Sequence, residues 1–181
     1  MALYIMRDSD DAFTGLLDLI TYSQSILGDL SNKTMIEIGS YAGESACVFA
    51  KSFKTVYCID PFLGNYDKND IAATWASFTE VEAQFDENVS GINNIVKVKA
   101  TSDDALHLKL PKVDMVYIDG LHTYEQVKKD IKNYLPLLNN PGVMSGHDYH
   151  DNWHVVKNAI HEQLGTPDML FIDTSWAFKI K

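Results

Sequence analysis

Residues 34–45 read TMIEIGSYAGES, and this stretch decides the fold. A short apolar strand at 34–38 runs into a turn that contains two glycines, and a helix follows from residue 43. Glycine lets the backbone approach a ligand closely and adopt dihedral angles that other residues avoid. The glycines here have the spacing Gly-x-x-x-Gly, whereas dinucleotide-binding turns carry Gly-x-Gly-x-x-Gly. This difference counts against a dinucleotide cofactor.

The order of strand, turn and helix repeats along the chain. Apolar strands alternate with amphipathic helices, which indicates parallel strands joined by crossover helices in a doubly wound α/β sheet. The last two strands leave no room for a helix between them, so one of them is predicted to run antiparallel to its neighbour. Thr79 and Glu82 fit a capping box at the start of the third helix. The predicted strands are 34–38, 55–59, 95–98, 113–118, 143–145, 169–173 and 176–180, and the main predicted helices are 10–27, 43–53, 79–91, 124–135 and 153–164.

The composition is that of one ordinary globular domain spanning residues 1–181, with residues 1–30 forming an N-terminal helical segment. The chain is 46% hydrophobic and 22% charged, as is usual for a folded protein. Its formal net charge of -10 argues against binding to nucleic acid, which requires a basic surface. No stretch approaches the roughly 18 apolar residues of a membrane span, and no signal peptide is apparent, so we expect a cytoplasmic protein that does not contact membranes.

Two acidic side chains end neighbouring strands of the predicted sheet. Glu37 lies two residues before the first glycine, and Asp60 follows the strand at 55–59. In a doubly wound sheet, ligands bind at the carboxyl ends of the strands. A carboxylate beside the glycine turn suits a cationic group such as a sulfonium, and a second carboxylate can accept hydrogen bonds from a ribose. The alternative is that Glu37 caps the turn and that Asp60 belongs to the following loop.

A second group of polar residues follows the fourth and fifth strands. Asp119 and His122 come after one strand, and His147 and Asp148 end the next. Two carboxylates favour a hard divalent ion, and added imidazoles shift the preference toward manganese, iron or zinc. The alternative is that both aspartates cap the helices that follow them and that His147 pairs with a backbone carbonyl.

Residues 61–78 form a long polar stretch without a periodic core face. Long irregular segments of compact domains are often functional lids. We therefore expect a lid loop here, with Trp75 and Phe78 either covering a substrate or packing on the sheet edge.

The chain resembles the class I S-adenosylmethionine-dependent methyltransferases over nearly its whole length. Residues 37–45 are similar to the first motif of that family, residues 59–61 to the second, and residues 101–106 to the segment that borders the adenine. The resemblance implies a Rossmann-like three-layer sandwich with a seven-stranded sheet in the order 3-2-1-4-5-7-6 and strand 7 antiparallel. It also implies S-adenosylmethionine as the cofactor. The implied cofactor-binding residues are Glu37, Gly39, Ser40, Tyr41, Gly43, Asp60, Ser102 and Asp119.

The segments 119–124 and 145–151 resemble a narrower group, the metal-dependent small-molecule O-methyltransferases. The nearest are the macrolide-sugar O-methyltransferases and the cephalosporin-hydroxylase-like proteins. The resemblance implies that Asp119 and Asp148 hold magnesium or manganese and that His122 is the general base. His147 stands where the macrolide group has Glu, and we include it among the metal ligands.

The implied function is methylation of a hydroxyl group on a small-molecule acceptor, by a protein that can pair into a homodimer. Three alternatives stay open at this point. They are a non-catalytic S-adenosylmethionine-binding module, a nicotinamide-dependent oxidoreductase on a similar sheet, and a metal-independent methyltransferase.

Overall fold

The computed structural model describes residues 9–66, 68, 73–74 and 76–181. The first helix, α1 (Asp10–Leu27), has the predicted bounds. Its N-cap is Ser9, whose hydroxyl accepts a hydrogen bond from the backbone N–H of Ala12. Such a bond satisfies one of the N–H groups that the first helical turn leaves without a partner. Leu16 and Leu19 are fully buried on the inner face of the helix.

Seven strands form one sheet in the order β3-β2-β1-β4-β5-β7-β6, which confirms the predicted topology. The first five strands run parallel to one another, and β7 runs antiparallel to both β5 and β6. The strands are β1 (Thr34–Ile38), β2 (Thr55–Ile59), β3 (Ile95–Val98), β4 (Val113–Ile118), β5 (Leu138–Gly146), β6 (Met169–Leu170) and β7 (Trp176–Ile180).

Helices cover both faces of the sheet. Each strand alternates its side chains between the two faces, so Met35 packs with α1, α2 and α3, whereas Ile36 packs with α5 and α6. Within the described part of the chain, no helix has both the length and the apolar character needed to cross a membrane. The remaining helices are α2 (Glu44–Ala50), α3 (Phe78–Asn88), α4 (Ser102–Ala105), α5 (Tyr124–Tyr134) and α6 (His154–Leu164).

Some predicted element boundaries were wrong. Helix α3 begins at Phe78 with Ser77 as its N-cap, so Thr79 does not cap it. The carboxylate of Glu82 instead pairs with the ammonium groups of Lys97 and Lys99 at 3.0 and 2.6 Å. Strand β5 starts five residues earlier than predicted because Leu138 pairs with β4, and β6 has only two residues.

The turn after β1 brings three strand ends together. The backbone N–H of Gly39 donates to the carbonyl of Ile59 at the end of β2, at 2.8 Å, and that of Asp119 after β4 donates to Ile38, also at 2.8 Å. Gly39 has a φ of +84°, and a Cβ built on it would lie only 2.1 Å from the carbonyl oxygen of Asp119. Glycine is therefore required at this position for both its conformation and the close approach of the two backbones.

We expect the Gly39→Ala substitution to lower the free energy of unfolding by about 2–5 kcal/mol, because left-handed strain and steric overlap add. Gly91→Ala is the matched control, since Gly91 has a φ of +81° with open space around its Cβ position. The control should be destabilised by the left-handed backbone strain alone, which lowers its free energy of unfolding by about 1–2 kcal/mol. Urea unfolding followed by circular dichroism measures both losses, and equal losses would mean that the crossing at Gly39 is not tight.

Candidate active site

Two adjoining cavities open at the carboxyl ends of the parallel strands. The larger has a volume of about 430 Å³ and the smaller about 220 Å³. Both are lined by Gly39, Tyr41, Tyr66 and Asp119. The turn after β1 therefore forms part of the boundary of both cavities, at the edge of the sheet where ligands of doubly wound folds bind.

The smaller cavity combines apolar walls with a buried carboxylate. Ile59 and Leu121 contribute apolar surface, and Asp60 contributes the carboxylate. One oxygen of Asp60 accepts a hydrogen bond from the backbone N–H of Phe62 at 2.7 Å, and the other accepts from that of Tyr41 at 2.9 Å. Burial raises the pKa of Asp60, and these backbone N–H groups oppose the shift. Asp60 thus both holds its loop and faces the cavity.

The structure gives Glu37 and Gly43 supporting positions, because neither lines a cavity. Glu37 is fully buried beneath the turn, where one carboxylate oxygen accepts a 2.5 Å hydrogen bond from the hydroxyl of Ser45 on α2. Gly43 is the N-cap of α2 with a φ of 84°, and its N–H donates to the carbonyl of Ser40 at 2.7 Å. Both residues shape the turn, and their direct contact with a cofactor stays a prediction. The other predicted cofactor-binding residues line one or both cavities, namely Gly39, Ser40, Tyr41, Asp60, Ser102 and Asp119.

The larger cavity contains the predicted cluster of acids and histidines. The Nε2 atom of His122 lies 2.7 Å from Oδ2 of Asp148 and 3.7 Å from Oδ1 of Asp119. The Nδ1 atom of His147 lies 3.4 Å from Oδ1 of Asp148 and 3.7 Å from Oδ1 of Asp119. Burial disfavours the charged form of Asp148, but hydrogen bonds from both histidines outweigh it and hold the pKa of Asp148 well below its usual range. Asp148 is therefore an ionised carboxylate at neutral pH.

Helix capping does not explain these two aspartates, so that alternative is wrong. The N-cap of α5 is Thr123, whose hydroxyl accepts from the backbone N–H of Gln126. The N-cap of α6 is Trp153, and the short 3₁₀ turn before it is capped by His150. Asp148 itself has a φ of 61°, which turns the chain so that its side chain meets the two histidines.

The donor atoms suit a divalent metal ion. Asp119, His122 and Asp148 each offer one ligand atom, and these three atoms lie within 4.8 Å of one another. The geometry thus groups His122 with the two aspartates, and His147 as a further metal ligand stays a prediction. Two carboxylates and an imidazole fit manganese, iron or zinc better than magnesium.

Other residues complete the walls and were not predicted as site residues. The turn before β7 contributes Ile172, Asp173 and Thr174 to the larger cavity, and the ring of Trp153 packs against that of His122 with centroids 4.7 Å apart and a tilt of 39°. The residues before β7 carry no sequence motif that marks them as site residues. They reach the site only because the chain returns to pair with β5. Gln126 and Asp130 line the smaller cavity, and their spacing of four residues on a helix is a signal that could have been used.

The predicted lid at 61–78 is described only in part. Tyr66 lines both cavities, and Phe78 is buried against the rings of Tyr41 and Tyr66 at 5.9 and 5.7 Å. Trp75 lies outside the described residues. A lid function for this segment stays a prediction.

Asp130 predicts a pH dependence of stability. Burial raises the pKa of Asp130 to about 6, so the folded state binds a proton more tightly than the unfolded state. The stability that this group contributes is present below pH 4 and is lost as the pH rises through 6. We expect Asp130→Asn to be more stable than the wild type at pH 7.5 by at most about 3 kcal/mol. That difference should shrink toward pH 4 in urea titrations, and a difference independent of pH would contradict the assignment.

Comparison with known proteins identifies the family of this chain. Residues 36–149, from β1 to just beyond β5, match a family model described as a methyltransferase domain. No curated protein sequence matches the chain.

Three solved structures illustrate the similarity of fold. The O-methyltransferase NovP is 16% identical with a TM-score of 0.64, covering 91% of this chain and 78% of its own. The protein SMU.1697c of Streptococcus mutans, solved in complex with SAH, is 13% identical with a TM-score of 0.66 and coverages of 91% and 97%. CalS11, a TDP-rhamnose 3′-O-methyltransferase of calicheamicin biosynthesis, is 14% identical with a TM-score of 0.64 and coverages of 92% and 79%.

Because these identities are low, the solved structures support the fold alone. The family model covers more than half of the chain and therefore shows the family. The match favours the methyltransferase prediction over the nicotinamide-dependent alternative. The chain belongs to this family of methyltransferase domains and has the fold of the class I S-adenosylmethionine-dependent methyltransferases.

Proposed function

We propose that this protein transfers a methyl group from S-adenosylmethionine to an oxygen atom of a hydroxylated small molecule. The observation that carries the proposal is the junction of the two cavities at Gly39 and Asp119. One cavity has the chemistry of a nucleoside site, and the other contains a histidine whose Nε2 lies 2.7 Å from an ionised carboxylate. A donor and an acceptor bound in adjoining cavities would be held in the orientation that transfer requires.

The smaller cavity suits the nucleoside part of S-adenosylmethionine. Its apolar walls at Ile38, Ile59 and Leu121 can cover a purine ring, and Asp60 can accept hydrogen bonds from ribose hydroxyls. Gly39 lets the ligand approach the backbone because it has no side chain. When bound, S-adenosylmethionine supplies a methyl group on a positively charged sulfur and leaves as S-adenosylhomocysteine (SAH).

His122 is the proposed proton acceptor. A hydroxyl oxygen attacks a methyl carbon effectively only if it loses its proton, and histidine can take a proton near neutral pH. The 2.7 Å contact with Asp148 would stabilise the positive charge that the imidazole then acquires. Packing of the Trp153 ring against the imidazole would restrict the orientation of the His122 ring.

A metal ion is a second part of the proposal. Asp119, His122 and Asp148 would hold it, and it would lower the pKa of a hydroxyl group bound beside them. A His122 side chain that ligates the metal cannot take the proton with the same nitrogen. The metal-assisted and metal-independent versions of the reaction therefore assign different roles to His122.

The charge of the larger cavity supports an acceptor without phosphate or carboxylate groups. Asp11, Glu44 and Asp173 line it in addition to the two aspartates of the cluster. Of the described residues that line it, none is Lys or Arg. An anionic acceptor would be repelled by this lining, so we propose a neutral or cationic acceptor.

We expect His122→Gln to reduce SAH formation by 10²- to 10⁴-fold, the usual contribution of a general base. Its affinity for SAH, measured by calorimetry, should stay within about threefold of the wild type, because His122 does not line the smaller cavity. Catechol, dopamine and a methyl glycoside serve as acceptor probes. His107→Gln is the control, since His107 is exposed and lines neither cavity.

Unchanged turnover in His122→Gln would remove this residue from the reaction. If the wild type bound SAH but gave no turnover with any hydroxylated acceptor, a non-catalytic binding module would be favoured. If it bound neither S-adenosylmethionine nor SAH, the proposed function would be wrong.

The metal is tested by chelation. We expect EDTA to suppress SAH formation and added Mn²⁺ to restore it, because two carboxylates and one imidazole converge in the cluster. Asp119→Asn should weaken Mn²⁺ binding, measured by electron paramagnetic resonance, by at least tenfold. Full activity in EDTA would instead support the metal-independent version, in which His122 and Asp148 act alone.

A further inference from the structure

His150 lies beside the acid–histidine cluster but lines neither of the two cavities. Its Nε2 atom is 3.5 Å from Oδ1 of Asp148, and its backbone N–H donates a 2.9 Å hydrogen bond to the carbonyl oxygen of Asp148. His150 therefore approaches Asp148 at both the side chain and the backbone. It is not among the residues that the sequence predicted for the site.

The ring of His150 is held in one tautomer by the chain that follows it. The backbone N–H of Asn152 donates a 3.2 Å hydrogen bond to Nδ1 of His150, which makes His150 the N-cap of the 3₁₀ turn Asp151–Trp153. A ring nitrogen that accepts a hydrogen bond carries no hydrogen, so the hydrogen of the neutral imidazole is on Nε2. The ring nitrogen that lies close to Asp148 is therefore the one that can donate.

The carboxylate of Asp148 has different neighbours at its two oxygens. Oδ2 lies 2.7 Å from Nε2 of His122, whereas Oδ1 lies 3.4 Å from Nδ1 of His147 and 3.5 Å from Nε2 of His150. The terminal torsion of an aspartate side chain has a broad energy minimum. Contacts at Oδ1 therefore decide how the other oxygen is presented to His122.

Asp148 depends on such contacts because it lies beyond the end of β5 in a left-handed backbone conformation, with a φ of 61°. A residue other than glycine keeps this conformation only where its surroundings hold it. His150 is itself anchored, since its carbonyl accepts a 3.1 Å hydrogen bond from the N–H of Trp153. The ring of Trp153 packs against that of His122, so residues 148–153 connect Asp148 to His122 along a route separate from their direct contact.

We infer that His150 is a positioning residue for the reaction, and that its Nε2 hydrogen orients the Asp148 carboxylate toward His122. The inference rests on the proposed function and deepens it, because Asp148 acts in both the metal-assisted and the metal-independent version. His150 lines neither cavity, so it should affect the rate of methyl transfer and leave the binding of both ligands unchanged. Removing the outer partner of a site residue typically costs about 10- to 100-fold in activity.

Two substitutions of similar shape separate this role from helix capping. In His150→Asn, the side-chain oxygen is as many bonds from Cβ as Nδ1 is, so it can accept from Asn152, but no atom reaches Asp148. In His150→Gln, the amide nitrogen is as many bonds from Cβ as Nε2 is and can donate to Asp148, whereas the cap is lost. One variant therefore keeps the turn, and the other keeps the contact with Asp148.

We expect His150→Asn to lower kcat for SAH formation about tenfold, with KM for the acceptor and Kd for SAH within about threefold of the wild type. Its Tm should stay within about 1 °C, because asparagine is a good N-cap. His150→Gln should keep kcat within about threefold but melt about 2–4 °C lower, the usual effect of a lost cap in a domain of this size. Kinetics with the acceptor probes, calorimetry with SAH and melting followed by circular dichroism measure these values.

The matched control is His154→Asn. His154 is exposed and lines neither cavity, so its substitution should leave kcat and the binding of SAH unchanged.

The possible results separate the inference from the proposed function. An unchanged kcat in His150→Asn would overturn the inference and leave the proposed function intact. Equal losses of kcat in His150→Asn and His150→Gln would also overturn it, because they would reflect a general disturbance of the turn. So would weaker binding of SAH or acceptor in His150→Asn without a change in kcat. If the wild type gave no turnover with any hydroxylated acceptor, the proposed function would fail and the inference with it.

Discussion

The close crossing of two backbones at Gly39 is the constraint on which the rest of the site depends. The first turn must pass the loop after β4 at a distance that leaves no space for a side chain. This contact sets the position of Asp119, which lines both cavities. The smaller cavity and the acid–histidine cluster are neighbours because β1 and β4 are neighbours in the sheet.

The chain places several carboxylates at one edge of the sheet and stabilises each in a different way. Asp60 accepts hydrogen bonds from backbone N–H groups, and Asp148 is paired with histidines. Asp130 has only uncharged hydrogen-bond partners, so its burial is the dominant influence on its pKa and raises it. Burial without a cationic hydrogen-bond partner disfavours a charge.

Prediction from the sequence succeeded where the signal was local. The bounds of α1, β1, β2, β3 and β4 follow from hydrophobic periodicity and turn residues, and the structure confirms them. The capping box failed because Glu82 lies near Lys97 and Lys99 only after β3 has joined the sheet. Glu37 was placed correctly near a strand end, but only the structure shows that it is fully buried and accepts a hydrogen bond from Ser45.

By itself, the sequence determined the order of strands and helices, the glycine turn and the identities of the acids and histidines at the strand ends. Periodicity and turn chemistry act over a few residues, so the sequence can be read directly for these features. Only the tertiary structure decided that His122 contacts Asp148, that Asp130 lines the smaller cavity and that the turn before β7 lines the larger one. These contacts join residues that are 26 or more positions apart or lie on separate elements, and only the packed sheet and helices bring them together.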